Sequence, residues 1–574
     1  MNTRKLRIAV AQTSPECLLE RTAEKMVSYV AEAAGKKCRL VVFPEGCLSS
    51  AADDPKRRID EAVETLRRAA AENDIYILFG LFGKDDGRED GREWAMAVDP
   101  RGKMIYKYVK LWIPNGADRA PGLFFVDGVP CAATLCADRW LRGVEELPAF
   151  SGAKILFELS GNYADEWVSD LGWFWYVPRA LRNDAFVVLA NQPVSRPAEE
   201  YGGQGIGHGH SVILAPDGFP LAAAGFENDK LIFADLNIAD ATLEQTKKRS
   251  GHPVMSGFWD AGRRILDGEK IVMPPHNTLP CPEAVINVAA FQIAGSRDID
   301  TNADRLIDSI GAAAKHGADI AVFPELTLTG NIREDIEGAD AARLNAAIKK
   351  ISAAAKTAGV TAAFGTPYIE AGRRYNCAYV IGPDGETAAR HFELNPSSDG
   401  LFERGLSARS MWFYINGVPA VITLGNELLW NELAELASIR GAMLHLHLSR
   451  RGNERPGGVL HMRQMFSCLA SFKNYTVCVN AAPAGRSSIW NDTGRYDKRK
   501  DIGYAGFWPY FPLRMAEAGG GEDTLFAEIS IKDRNRHYEK VVSFNAQMDS
   551  WYKTGGEAIF SERDRADAAE GPGA

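Results

Sequence analysis

The feature that most limits what this chain can fold into is that its opening is written twice. Residues 6–12 read LRIAVAQ and residues 286–292 read INVAAFQ, while residues 41–45 read VVFPE and residues 321–325 read AVFPE. Gln12 to Gln292 and Glu45 to Glu325 are one offset, 280 positions. Between these landmarks both copies set apolar residues at helical spacing: Met26, Val27, Val30 and Ala31 in the first, Leu306, Ile307, Ile310 and Ala314 in the second. Thr301 followed by Asp304 reads as a helix start. Each copy therefore opens strand, helix, strand, with Phe-Pro-Glu closing the second strand. Insertions then widen the offset: Phe79-Gly80 answers Phe364-Gly365 at 285, and Asn191 answers Asn480 at 289. The matches keep their order along the chain, as a duplication requires.

Two copies imply two cores. The chain has 574 residues, well beyond the roughly 250–300 that one core serves. Residues 272–284, VMPPHNTLPCPEA, carry four prolines, which disfavour helix and sheet interiors. The expected division is a first domain over 1–270, a Pro-rich linker over 271–284, a second domain over 285–550 and a disordered tail over 551–574, where glycine, alanine and charge dominate. Strands alternate with helices in both copies, the pattern of α/β layers. The apolar fraction of 46% and charged fraction of 25% are those of a soluble globular protein. A net charge of −9 argues against a nucleic-acid backbone or an anionic membrane as the main partner. The start, MNTRKLRIAVAQ, has too short an apolar run for a leader and reads as a first strand. Nine cysteines without repeated spacing read as a reduced set, so the expected location is the cytoplasm.

Three positions in the first copy carry chemistry. Glu45 ends the strand VVFPE, where a carboxylate can reach a cleft while its backbone stays anchored; a helix-capping or solvated glutamate is the commoner role for such a residue. Lys110 sits among aromatic and aliphatic neighbours in YVKLWIP, residues 108–114, and a desolvated ammonium there would face developing negative charge; a snorkelling surface lysine is the alternative. Cys136 follows the apolar run Ala132–Leu135 in VPCAATLCADRW, at a junction that exposes a sulfur and leaves a backbone N–H nearby, whereas most cysteines are inert and buried. Cys131, placed before that run, is assigned no chemistry. His208 and His210 share a strand face, but no cysteine or carboxylate cluster accompanies them, so no metal is expected.

Glu45, Lys110 and Cys136, in this order and in these contexts, resemble the nitrilase superfamily of carbon–nitrogen hydrolases. The resemblance rests on FPE at 43–45, the Y-x-K-x-x-x-P frame at 108–114 and T-L-C-x-D at 134–138, with RALRNDAFVVLANQ at 179–192 and SVILAPDG at 211–218 in support. It covers about residues 5–265 in full and 285–550 in reduced form. It implies two tandem α-β-β-α sandwich domains of the α/β class, packed as an intramolecular pseudo-dimer, with no metal or organic cofactor. It also implies roles: Cys136 as nucleophile, Glu45 as general base, and Lys110 with the Ala137 N–H as the oxyanion's stabilisers. Members of the family often carry a second glutamate after the lysine; here residues 115–122, NGADRAPG, offer only Asp118. Trp140, Asn162 and Tyr163 are candidate substrate contacts, with core packing the competing role for the aromatics and for Trp173 and Trp175.

In the second copy Glu325 keeps the base position. Thr423-Leu424 answers Thr134-Leu135, so Gly425 replaces Cys136 at the offset of 289. Matching Leu394 to the lysine frame places His391 where Lys110 stands, and LFERG at 401–405 resembles the family's second-glutamate loop. The expected function is a cysteine-dependent amidase acting on a small amide through a thioester. The alternatives are nitrile hydrolysis or N-acyl transfer on the same fold, and a non-catalytic binding or scaffold protein. A glutamine-dependent synthetase is disfavoured because no GxxxxGK[ST] loop follows. Self-association of the pseudo-dimer is left open.

Overall fold

The computed structural model describes residues 5–16, 18–49, 55–84, 91–111, 121–162, 167–193, 207–270, 272, 278–451, 458–471, 475–491, 513–531 and 545–560. The first repeat runs β1 (Lys5–Gln12), α1 (Leu19–Gly35), β2 (Leu40–Val42), β3 (Leu48–Ser49), α2 (Pro55–Glu72), β4 (Tyr76–Lys84), β5 (Gly91–Val98), β6 (Met104–Val109), β7 (Phe124–Val126), β8 (Val129–Leu135), α3 (Arg142–Phe150), β9 (Ile155–Ser160), α4 (Tyr176–Asn183), β10 (Phe186–Asn191), β11 (Val212–Leu214), β12 (Pro220–Ala223), β13 (Lys230–Asn237), α5 (Glu244–Gly251) and α6 (Ser256–Leu266). The second runs β14 (Ala284–Gln292), α7 (Ile299–Lys315), β15 (Ile320–Val322), α8 (Arg333–Glu337), α9 (Ala341–Ala358), β16 (Thr361–Glu370), β17 (Arg373–Ile381), β18 (Thr387–Phe392), β19 (Trp412–Ile415), β20 (Val418–Leu424), α10 (Glu432–Arg440), β21 (Leu444–Ser449), α11 (Gly458–Ala470), β22 (Tyr475–Asn480), β23 (Ser488–Asn491), β24 (Leu513–Glu517), β25 (Asp523–Ile531) and α12 (Ala546–Phe560).

Strand order repeats with the sequence. The first copy pairs β13-β1-β2-β4-β5-β6, with β3 on β4, and β12-β11-β10-β9-β8-β7; the second pairs β25-β14-β15-β16-β17-β18 and β24-β23-β22-β21-β20-β19. Alternation along β1 explains the layers. Ile8 and Val10 join a core with Ala133 and Leu135 of the facing sheet, while Ala9 and Ala11 join one with Met26 and Leu66 of α1 and α2. The second copy divides Val288 and Ala289 in the same way. The result is an α-β-β-α sandwich, twice. Duplication reaches single hydrogen bonds: Gln12 Nε2 donates to Gly225 O at 3.0 Å and Gln292 Nε2 to Gly519 O at 2.9 Å. Each glutamine's Oε1 then accepts a serine N–H at 2.9 Å, from Ser211 and Ser487.

The two copies meet through their second-sheet helices. One continuous core holds Val144 and Trp259 of the first copy together with Leu433, Phe466 and Trp551 of the second. The contact is reciprocal, as in a two-fold dimer. At the offset of 289, Arg142 corresponds to Asn431 and Arg182 to Ser471. Arg142 donates to Ser471 Oγ, and the Asn431 amide oxygen, turned to face Arg182, accepts from it at 2.7 Å. Arg249 is fully buried here, and an unpaired charge would be costly. Its guanidinium donates to Glu146 at 2.7 Å, Glu432 at 3.1 Å and Asn183 at 2.7 Å, so the charge is matched on both sides.

The chain's end departs from expectation. Residues 551–560, read from composition as tail, belong to α12, and Trp551 and Tyr552 are fully buried. Trp551 stacks on Phe258 of α6 at 5.0 Å and donates its indole N–H to Phe258 O at 2.6 Å. Its ring occupies space that a side chain at Gly143 or Gly262 would fill. A few large aromatics carry this burial, which average composition does not register. Residues 561–574 lie outside the described residues, as do 271 and 273–277 of the proline-rich segment. Among the described residues no helix is long and apolar enough to cross a membrane.

Candidate active site

Glu45 leaves the end of β2 through Phe43-Pro44. Gly80 N donates to Pro44 O at 3.2 Å and Gln192 Nε2 to Glu45 O at 2.7 Å, which fixes the backbone. A Cβ at Gly80 would lie 2.5 Å from Glu45 Cα, and one at Gly365 2.6 Å from Glu325 Cα. That close approach is why both copies keep Phe-Gly at this point. Lys110 follows β6, with its N–H on Glu93 O at 3.0 Å. Its ammonium donates to Glu45 Oε1 at 2.7 Å and to Glu93 Oε2 at 2.5 Å. The other Glu45 oxygen accepts from Gly161 N at 3.1 Å.

Cys136 directly follows β8 and begins a 3-10 turn, Cys136–Trp140. Its φ is +34°, in a region non-glycine residues rarely adopt, and strain of this kind accompanies functional turns. Asp138 holds the turn. It accepts from Leu135 N at 3.1 Å, Leu111 N at 3.1 Å and the Tyr108 hydroxyl at 2.9 Å, tying the lysine strand to the cysteine turn. Cys136 is half-buried, and its Sγ lies 3.7 Å from Asn162 Oδ1. Asn162 is itself held by Tyr176 Oη at 3.0 Å and Asn191 Oδ1 at 3.0 Å.

One ammonium thus faces two carboxylates in a buried setting. Burial and the neighbouring Glu93 charge, against the pull of Lys110, push the Glu45 pKa up to about 8. Glu93 is half-buried, but Lys110 and the hydrogen bond with Glu45 outweigh the desolvation and hold it below the usual range. Lys110 is raised well above its ordinary value despite burial, because Glu45, Glu93 and Cys136 all favour the cation. Burial thus favours the proton on Glu45, while Lys110 favours the charge on Glu93.

The expected positions fare differently. Glu45, Lys110, Cys136 and Asn162 converge. Ala137 is buried just after Cys136. Trp140 is buried and edge-on to Trp175 at 5.0 Å, packed in the core. Asp118 and Tyr163 lie outside the described residues. The two ring nitrogens of His208 lie 3.4 and 3.3 Å from the side-chain amides of Asn162 and Asn191, and burial drives its pKa down to about 3. His210 stacks on Trp167 at 3.5 Å. Among the described residues no group of three or more His, Cys, Asp or Glu side chains gathers as a metal would need. Glu93 went unnoticed in the sequence; only its strand pairing, Phe82 with Glu93 and Trp94 with Val109, brings it under Lys110.

The same register corrects the second copy. Ala378 pairs with His391 as Ala95 pairs with Tyr108. His391 then bonds Glu427 at 2.8 Å, as Tyr108 bonds Asp138. His391 therefore stands at the tyrosine position, and Glu393 takes the place of Lys110, with its N–H on Asn376 O at 2.9 Å. HFEL at 391–394 answers YVKL at 108–111, so the lysine position falls two residues after His391. Asn376 accordingly replaces Glu93. Gly425 has φ +58°, the backbone counterpart of Cys136, and a Cβ there would run into Glu393 Oε1. Asn426 N, the counterpart of Ala137 N, donates to that carboxylate at 2.7 Å. Glu325 is buried, accepting from Asn376 at 2.8 Å and Arg450 at 3.2 Å. Glu403 of LFERG is exposed and does not join the site.

The sequence model of the family described as carbon-nitrogen hydrolase matches residues 7–245 and 287–449, most of the chain and both copies. The chain belongs to the carbon-nitrogen hydrolase family. Relatives of this carbon-nitrogen hydrolase family member include the formamidase of Bacillus cereus strain G9842, 29% identical over 110 residues, 17% of this chain and 33% of that protein. The formamidase of Bacillus anthracis strain A0248 matches at 29% over the same shares. The chain thus spans about a third of the length of the curated relatives it matches. Solved structures similar to it include an amidase of Nesterenkonia AN1 from the nitrilase superfamily, as a cysteine-to-alanine mutant, at 21% identity and a TM-score of 0.36, covering 41% of this chain and 92% of that one. The same amidase's butyramide complex aligns at 20% identity and a TM-score of 0.37, over 42% and 95%.

Proposed function

We propose that the first repeat, residues 1–270, is a cysteine-dependent amidase cleaving a small amide, and that the second, from residue 285, performs no hydrolysis. The observation that carries this reading is the convergence of Lys110, flanked by Glu45 and Glu93, on the strained turn that presents Cys136. A thiol is a weak nucleophile until its proton is removed, and Glu45 in its carboxylate form is the base. The Cys136 sulfur adds to the amide carbon as its proton passes to Glu45. Negative charge collects on the carbonyl oxygen, where Lys110 and the Ala137 N–H stabilise it. The C–N bond breaks as Glu45 returns the proton to the leaving nitrogen, which departs as ammonia. Water then attacks the thioester, giving its proton to Glu45, and the acid leaves as the thiol re-forms. Cysteine and base suffice, so no metal is invoked. Because the relatives include formamidases, formamide and short aliphatic amides are the first substrates to try.

The test is incubation with a panel of small amides and nitriles, following ammonia release and the mass of the Cys136 peptide. Ammonia from amides, with an acyl adduct at Cys136, is expected. Release from nitriles alone would make the chain a nitrile hydrolase, and turnover that persists in Cys136→Ala would overturn the mechanism.

A further inference from the structure

Residues 167–175, which lead into α4, are gripped on one flank by the second repeat. Gln464 of α11 is 1% exposed and donates its side-chain amide to Leu171 O at 2.9 Å. Arg514 of β24 pairs with Asp170. It is itself held by Glu517 at 3.2 Å, which accepts from Arg463 of α11 at 2.5 and 2.6 Å. Gly172 turns beside this grip at φ +55°, and a Cβ there would stand 3.6 Å from Gln464 Nε2 and 4.0 Å from the Trp167 ring. The repeats differ at this point. At the offset of 289, residues 169–175 correspond to 458–464, a turn in the first copy and the opening of α11 in the second. The helix that stands in place of the turn carries the residues that hold it.

Two routes run from this segment to the nucleophile. Trp167 stacks on His210 at 3.5 Å, lies edge-on to Trp173 at 5.5 Å and stands 5.5 Å from the His208 ring. Trp173 Nε1 donates to His210 O at 2.8 Å. The His208 ring lies 3.4 Å from the amide nitrogen of Asn162, whose Oδ1 is 3.7 Å from Cys136 Sγ. The second route is through α4. Trp173 O accepts from Tyr176 N and Val177 N, both at 2.9 Å, and the Tyr176 hydroxyl accepts from Asn162 Nδ2 at 3.0 Å. Closely packed groups pass a displacement on rather than absorb it.

We propose that Gln464 and Arg514 of the second repeat are positioning residues for the first site: by holding residues 167–175 they keep Asn162 in place beside the Cys136 sulfur. The effect on turnover rests on the amidase reading; the effect on the thiol does not. Gln464 carries more of the role. Without its amide, Leu171 O loses a buried donor, and the segment gains by moving toward water. The Arg514–Asp170 pair, with side chains 28% and 40% exposed, contributes less. What shifts is the group beside the nucleophile, so the loss falls on kcat and leaves KM near the parent value.

The test uses the full chain and counts sites before it measures rates. Each variant is titrated with chloroacetamide so that kcat is expressed per reactive Cys136. The rate of that alkylation is recorded, and hydrogen exchange is followed in peptides covering 167–175. Gln464→Met, close in size but without the donor, should lower kcat and the alkylation rate at least about tenfold, with KM nearly unchanged and exchange over 167–175 faster. Arg514→Gln should lower both rates about two- to fivefold, while Arg514→Lys, which keeps a charge for Asp170, should stay at the parent values. Should Gln464→Met not fold, the two Arg514 variants decide. Parent rates in both Gln464→Met and Arg514→Gln overturn the proposal, even if the melting temperature falls. So does a loss that appears in KM alone, or one that Arg514→Lys shares in full. A parent that hydrolyses no amide would sink the amidase reading instead, and the alkylation and exchange results would still judge the positioning.

Discussion

In the proposed reaction Glu45 must be a carboxylate before it can take a proton from Cys136, and its surroundings oppose that. Its pKa stands at about 8 through burial and the Glu93 charge, so kcat/KM for an amide should rise with pH and level off above that value. Glu93→Gln removes the charge that keeps the proton on Glu45. The midpoint should then move to lower pH, and a pH–rate profile in which it stays or rises would remove Glu93 from the site. The two expected catalytic partners of the cysteine have larger effects. Glu45→Gln and Lys110→Ala should each cost at least about 10²-fold in rate, the scale of a lost general base or oxyanion donor, while circular dichroism stays unchanged. A variant within a few-fold of the parent would strike that residue from the mechanism.

At the scale of elements, the turns after β8 and β20 do the same geometric work with different residues. Positive φ at Gly425 suits glycine, and Glu393 stands where a side chain would go. Gly425→Ala should therefore destabilise the chain by about 1–3 kcal/mol, the usual range for such strain, and a neutral result in urea denaturation would contradict the assigned geometry. The strands that carry these turns were legible from the start, because FPE, the Thr-Leu pair before each turn and the apolar runs around them survive in both copies. The partners reached across the sheet were not. Glu93 lies 17 residues from Lys110 in an otherwise ordinary strand, and only antiparallel register joins them. The same gap misplaced His391: motif spacing matched Leu394 wrongly, whereas the pairing of β17 with β18 leaves one alignment. Helix α12 was hidden for another reason, since composition averages over the few aromatics that anchor it.

As a whole molecule, the chain is its own dimer. The second repeat covers the first with α10, α11 and α12, and the core between them is continuous. Trp551→Ala should cost about 3–5 kcal/mol, as for other large buried aromatics, read from thermal or urea unfolding. Residues 1–272 alone would expose that face and should aggregate, dimerise or lose activity in size-exclusion and turnover assays; a stable, fully active monomer would show that the second repeat is not needed for support. The central claim is that this assembly has one site of chemistry per chain, at Cys136. It is tested most directly by titrating the enzyme with chloroacetamide, an amide-shaped alkylating agent, while following residual activity and mapping the labelled peptide. One equivalent on Cys136, with activity falling in proportion, is the predicted result. Inactivation with Cys136 unlabelled, or full activity after it is labelled, would contradict it.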